Sequence, residues 1–118
     1  MKIEDLEKIL LKKQGASKSF PFGDIYAVFK IENKVFAILA IEENPLRLNL
    51  KCDPMDALAY RDIYKSVIPG YHMNKKHWNT IILDGNVPQE VLEDMINESY
   101  NLIFNKLTKK QKEKILLS

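Results

Sequence analysis

Leu46-Arg47-Leu48-Asn49-Leu50-Lys51 alternates apolar and polar side chains without a break. Successive side chains of an extended chain leave on opposite faces, so this spacing predicts a strand with the three leucines on a core and two cations and an amide turned to water. A strand buried on both faces would read as one continuous apolar run. The stretch therefore predicts a half-open antiparallel sheet, and its neighbours agree. Two further strands precede it, over residues 25–31 and 35–41, joined by the short polar break Glu32-Asn33-Lys34. Asp53-Pro54-Met55-Asp56 follows it as a helix start, because Asp53 can accept from orphan amides, Pro54 suits the first helical position and Asp56 favours the positive end of the dipole. That helix is expected to run to about Lys65 with Leu58, Tyr60, Ile63 and Tyr64 buried, and Ser66-Val67-Ile68-Pro69-Gly70 ends it. An extended piece over 71–73, a polar turn over 74–76 and a strand over 77–83 come next.

The flanks supply the helices. Ile3, Leu6, Ile9 and Leu10 share one face of a helix over residues 3–13, with Gly15 as its stop. Residues 17–24 read as a turn-rich connector, interrupted by Pro21 and Gly23, whose Phe20 and Phe22 anchor it against the core. Val91, Leu92, Met95, Ile96, Ser99, Leu102 and Ile103 recur at helical spacing over 88–106, and Thr108 with Gln111 has the form of a capping box for a last short helix. The whole predicts an α+β fold, an antiparallel sheet with helices packed on one face and the other face partly open.

A chain of 118 residues, 46% hydrophobic and 29% charged, suits one domain spanning 1–118 with one core. No apolar run approaches the ~20 residues of a membrane span. Met1-Lys2-Ile3-Glu4-Asp5 does not open a signal peptide, so a cytoplasmic protein is expected. The single Cys52 excludes an intrachain disulfide and a multi-cysteine metal cluster, and is read as a small buried filler. The net charge of +2 is too small to imply a polyanion by itself, but basic residues gather in 8–18, 75–76 and 106–114 while acids gather in 90–98.

The candidate functional stretch is Pro69-Gly70-Tyr71-His72-Met73-Asn74-Lys75-Lys76-His77-Trp78-Asn79-Thr80. Lys75 and Lys76 at a hairpin tip, flanked by Asn74, His77 and Asn79, offer donors to phosphate oxygens, and Arg47 and Lys51 on the polar side of their strand extend that basic surface. Trp78 stacks on a base if exposed, although anchoring the hairpin is the plainer role for it. His72 and His77 fall opposite one another if the turn spans about four residues. Two imidazoles without a third ligand do not make a selective metal site, and no catalytic motif is present, so neither a cofactor nor an enzyme is expected.

These residues also carry a resemblance. Phe20-Pro21-Phe22-Gly23, Leu48-Asn49-Leu50-Lys51-Cys52 with Asp53-Pro54, the stretch from Pro69 to Thr80, Leu83-Asp84-Gly85 with Pro88, and Ser99-Tyr100 together resemble the MmcQ/YjbR family of small bacterial proteins. The sequence departs from the family pattern at Gln14, where Pro is common, and at Lys18, where an acid is common. The resemblance implies a frataxin-like fold of the double-wing type and DNA binding, with Asn74, Lys75, Lys76, His77 and Trp78 as the contacting positions. Frataxin-like iron handling would need an acidic ridge, and Glu4, Asp5 and Glu7 are interleaved with Lys2, Lys8 and Lys12. The expected function is DNA binding through phosphates with weak sequence preference. The alternative is a small protein-interaction or anionic-ligand module, with a concave pocket around His72, His77 and Asn79. A monomer is expected, since assigning the core leaves no apolar stripe over.

Overall fold

A computed structural model of the chain describes residues 1–70 and 73–118. Its sheet is built outward from a tight turn. Glu32 and Asn33 both take left-handed backbone, with φ of 46° and 65°, and Ile31 stands opposite Lys34. This is a two-residue turn of the twist-matched type, one residue shorter than the polar break in the sequence suggests. It joins β2 (Tyr26–Ile31) to β3 (Lys34–Ala40). With β1 (Ser17–Ser19), β4 (Arg47–Lys51), β5 (Val67–Pro69) and β6 (Trp78–Ile82) they form a six-stranded antiparallel sheet in the order β1-β2-β3-β4-β6-β5.

Register sorts the side chains into two faces. Ala27, Leu39, Leu48, Ile81 and Val67 stand successively opposite one another across five strands, and all belong to the core. Val28, Ile38, Asn49, Thr80 and Ile68 form the matching row on the other face. A register shift after Phe29 leaves Phe36 without a Cα partner, and this bulge lets both Phe36 and Ala37 enter the core. Over the core face lie α1 (Ile3–Leu11), α2 (Pro54–Ile63), α3 (Gln89–Asn105) and α4 (Lys109–Leu116). Leu6 and Leu10 of α1, Leu92, Met95, Ile96 and Ile103 of α3, and Ile115 of α4 complete the core. The α+β architecture read from the alternation is therefore the observed one.

One buried hydroxyl fixes α3 to the sheet. Ser99 Oγ donates to the Phe36 carbonyl at 2.6 Å and accepts from the Lys51 amide at 2.9 Å. The neighbouring Tyr100 meets Phe36 edge-on, with ring centroids 5.5 Å apart, and donates its hydroxyl to the Gln14 carbonyl. The helix starts match their sequence signals: Asp53 accepts from the amides of Met55 and Asp56, and Thr108 and Gln111 make the reciprocal capping box.

Three expectations are corrected. The second helix ends at Ile63 rather than near Lys65, and Val67–Pro69 becomes a strand because its apolar residues pair with β6. Leu58 and Ile63, expected in the core, are 59% and 66% exposed, and with Met55 they leave an apolar stripe on α2. The side of α2 that meets the sheet presents Ala57 and Arg61, with Tyr60 and Tyr64 packed partly buried against the core as expected. Phe20 and Phe22 are exposed rather than anchored, and the residues just before them pair as the edge strand β1.

Ser99→Ala should lower unfolding stability by about 1–3 kcal/mol, because it leaves the Lys51 amide without its acceptor at a buried site. Urea denaturation should show a lower midpoint with an unchanged slope.

Candidate functional site

The turn before β6 is built by Asn74. Its carbonyl accepts from the amides of His77 (3.1 Å) and Trp78 (2.9 Å), and its side-chain oxygen accepts from the Lys76 amide at 3.0 Å. Asn74 is thus spent on shaping the backbone, while Lys75 and Lys76 project into solvent. Arg61 braces the turn from α2: its guanidinium donates to the Lys75 carbonyl, to the Trp78 carbonyl at 3.4 Å and to Asn79 Oδ1 at 2.6 Å. Gly70 closes the hairpin by direct backbone approach, donating to the Trp78 carbonyl at 2.9 Å. A Cβ at Gly70 would fall 2.8 Å from that of Trp78, so the position has no room for a side chain.

This geometry redistributes the candidate residues. Asn79 is only 3% exposed and lies under α2, where Nδ2 donates to the Ala57 carbonyl; it is a structural amide, not a surface contact. Trp78, on the opposite side of β6 from Asn79, is half-buried, and so is His77, whose carbonyl receives the Cys52 amide at 2.7 Å. His72 and most of the expected extended piece lie outside the described residues. Strand pairing reaches Pro69 opposite Asn79, with the Gly70 hydrogen bond beyond it. Among the described residues no group of three or more His, Cys, Asp and Glu could hold a metal ion. Cys52 is buried and its thiol is pushed up to about 12, first by burial and then by Glu98, Asp56 and Asp53, which suits a filler and not a nucleophile.

Arg47 and Lys51 lie at opposite ends of β4. Lys51 stands opposite Trp78 at one end of β4, whereas Arg47 stands opposite Ile82 at the other. The Lys51 ammonium is lowered to about 8, chiefly by the close Lys106 side chain, then by burial and by the charge of Lys34. Lys51 and Lys106 therefore come together where β4 ends and α3 stops, within reach of the charge of Lys34 at the start of β3 and next to the turn that carries Lys75 and Lys76. Sequence reading had placed Lys106 in a basic run but gave no signal for its position beside Lys51, and none for Arg61 as the brace.

Arg47 lines a concavity of about 370 Å³ on the open sheet face instead. Tyr26, Ile38, Ala40, Asn49 and Thr80 of the sheet form it, with Phe22, Glu43 and Met73 from the flanking loops. Asn49, expected to face water, is buried here and accepts from the Thr80 hydroxyl. The pocket expected around His72, His77 and Asn79 is not the one found, because Asn79 belongs to the helix-covered face.

Residues 11–102 match the family model described as YjbR. The chain belongs to the YjbR family. This YjbR-family chain is 35% identical over 112 residues to the uncharacterized protein YbdF of Escherichia coli O157:H7, covering 95% of this chain and 92% of that one. To the uncharacterized protein YjbR of Escherichia coli K12 it is 32% identical over 117 residues, covering 99% and 98%. Its fold is similar to the crystal structure of Deinococcus radiodurans DR2400, of the DUF419 domain family, with a TM-score of 0.92 and 37% identity over 98% of this chain and 88% of that chain. Phe22, Asn49, Met73 and Thr80, which come from three separate stretches that carry the resemblance, line the open-face concavity of the YjbR-family chain. Ser99, from another, is the clamp of α3.

The crowding of Lys51 makes folding stability depend on pH. Its folded pKa of about 8 lies below the ordinary 10.5, so between those values the unfolded chain binds more protons and this residue makes stability rise with pH. Lys106→Ala should return Lys51 toward its ordinary value and remove that rise. Site-resolved NMR titration of the Lys51 Cε resonance checks the first statement, and the difference between wild-type and variant stability curves checks the second.

Proposed function

We propose that this protein binds the phosphate backbone of duplex DNA through the lysine-bearing end of its sheet. The observation that carries the reading is the convergence of Lys34, Lys51 and Lys106 beside the exposed turn of Lys75 and Lys76. Among the described residues the ion pairs are Lys18 with Glu7 and Lys114 with Glu32, so none of these five ammonium groups is neutralised by a carboxylate. Like charges pressed together raise one another's free energy, and a phosphate oxygen placed between them relieves it. Arg61 keeps the turn's backbone in place, so its two lysines are presented from a braced support.

Such contacts position a protein on DNA and carry little sequence information, since ammonium groups meet phosphates and not base edges. Trp78 is half-buried at the root of the turn and anchors it, leaving base stacking a minor term. The reading agrees with the double-wing, frataxin-like type that the resemblance implies and places the protein in the cytoplasm, where a buried free Cys52 stays reduced. It assigns no catalytic step. Arg47, at the far end of β4, is left out of the contact surface.

Fluorescence anisotropy with a labelled duplex, measured across a series of salt concentrations, tests it. The logarithm of the binding constant should fall linearly with the logarithm of salt, equally for scrambled duplexes, and each lost lysine should reduce the slope by about 1. The combined Lys51→Ala, Lys75→Ala, Lys76→Ala and Lys106→Ala variant should bind far more weakly. Salt-independent binding, or a variant that binds as the wild type does, overturns the proposal.

A further inference from the structure

The open-face concavity has a chemistry unlike that of the lysine end. Ile38, Ala40, Met73 and the rings of Phe22 and Tyr26 give it apolar walls, and Asn49, Thr80 and Arg47 supply polar groups. Arg47 is half-buried, yet among the described residues no carboxylate or carbonyl accepts from its guanidinium. A guanidinium in the wall of a concavity presents a planar fork of donors that matches a carboxylate bidentately. Asn49 is poised in the same direction. Its oxygen is taken by Thr80, while Nδ2 reaches the Ile38 carbonyl at 3.4 Å and keeps a second proton with no partner among the described residues. Phe22, 66% exposed at the rim, would be covered by an apolar body lying in the hollow.

We propose that this concavity binds a small aromatic monocarboxylate, its carboxylate on Arg47 and the Asn49 amide and its ring between Phe22, Tyr26 and Met73. The volume of about 370 Å³ lies at the lower end of the ~300–1,000 Å³ common to small-molecule sites, which fits a compact molecule and not a polymer. Glu43 on the same rim sets the charge of the ligand. A single carboxylate satisfies Arg47 and meets less repulsion from Glu43 than a phosphate dianion does. The site is independent of the DNA reading, because Arg47 and Lys51 lie four residues apart along β4, roughly 13 Å at ~3.3 Å per residue.

Titration of the full chain with benzoate and with indole-3-acetate, followed by nitrogen–proton NMR, tests the proposal, with inorganic phosphate as the contrasting probe. Both carboxylates should give saturable shifts at the Asn49 side-chain amide and Arg47 Nε, and phosphate should not. Arg47→Gln should weaken binding by about tenfold or more, the worth of one charge-assisted hydrogen bond. Phe22→Ala, at an exposed position that the core does not need, should weaken it too. The Lys51→Ala, Lys106→Ala double variant should leave these shifts unchanged while reducing DNA affinity. No saturable shift with either carboxylate, equal shifts with phosphate, or indifference to both Arg47→Gln and Phe22→Ala would each overturn it.

Discussion

The hydroxyl of Ser99 holds together parts of the chain that nothing local would join. It satisfies the Phe36 carbonyl and the Lys51 amide at once, and both groups lie where regular pairing is disturbed, one beside a bulge and the other at a strand end. An unpaired amide or carbonyl buried under a helix is costly, so the helix that covers this place has to bring a group that both donates and accepts. A serine in the α3 stripe does so without opening a void. With Ser99 seated, Tyr100 and Ile103 have fixed positions on the sheet, and the end of α3 brings Lys106 to Lys51.

The functional candidates follow from that docking in two separate places. At the end where α3 stops, cations from three elements are pressed together beside the braced turn of Lys75 and Lys76. On the uncovered face, the middle of the same strands makes a hollow with a polar floor and one guanidinium. β4 contributes to both, through Lys51 at its last position and Arg47 and Asn49 before it. Alternation sends Arg47 and Asn49 to the open face, and the distance along the strand keeps the two sets of charges apart. A surface that mixed them would have to bind a polymer and a compact acid with the same residues.

α2 shows how a helix can contradict its own hydrophobic pattern. Leu58 and Ile63 sit in solvent while Arg61 and Tyr60 reach inward, Arg61 to the turn carbonyls and Asn79, Tyr60 to Glu98 at 3.2 Å. The reason is local demand. The side-chain oxygen of buried Asn79 needs a donor and the Lys75 carbonyl lies on the same side of the turn, and an arginine on α2 serves both where a leucine could not. The buried amide of Asn79 is part of the same bracing, which is why a residue that looks like a surface contact in the motif serves the interior.

The sequence by itself determined the alternating strands, the capped starts of α2 and α4, the amphipathic α3 and hence an antiparallel sheet with helices on one face. These follow from spacing and from interactions a few residues long, which any reader of the chain can count. The family pattern was legible too, as contiguous motifs. Only the tertiary structure decided that Asn79 and Asn74 are structural, that Lys106 joins the basic end, and that Phe22 leaves the core to rim a hollow with Arg47, Asn49 and Thr80. Each of those depends on which residues register, a bulge and helix docking bring together across tens of positions, and such long-range pairings leave no periodic trace in the sequence.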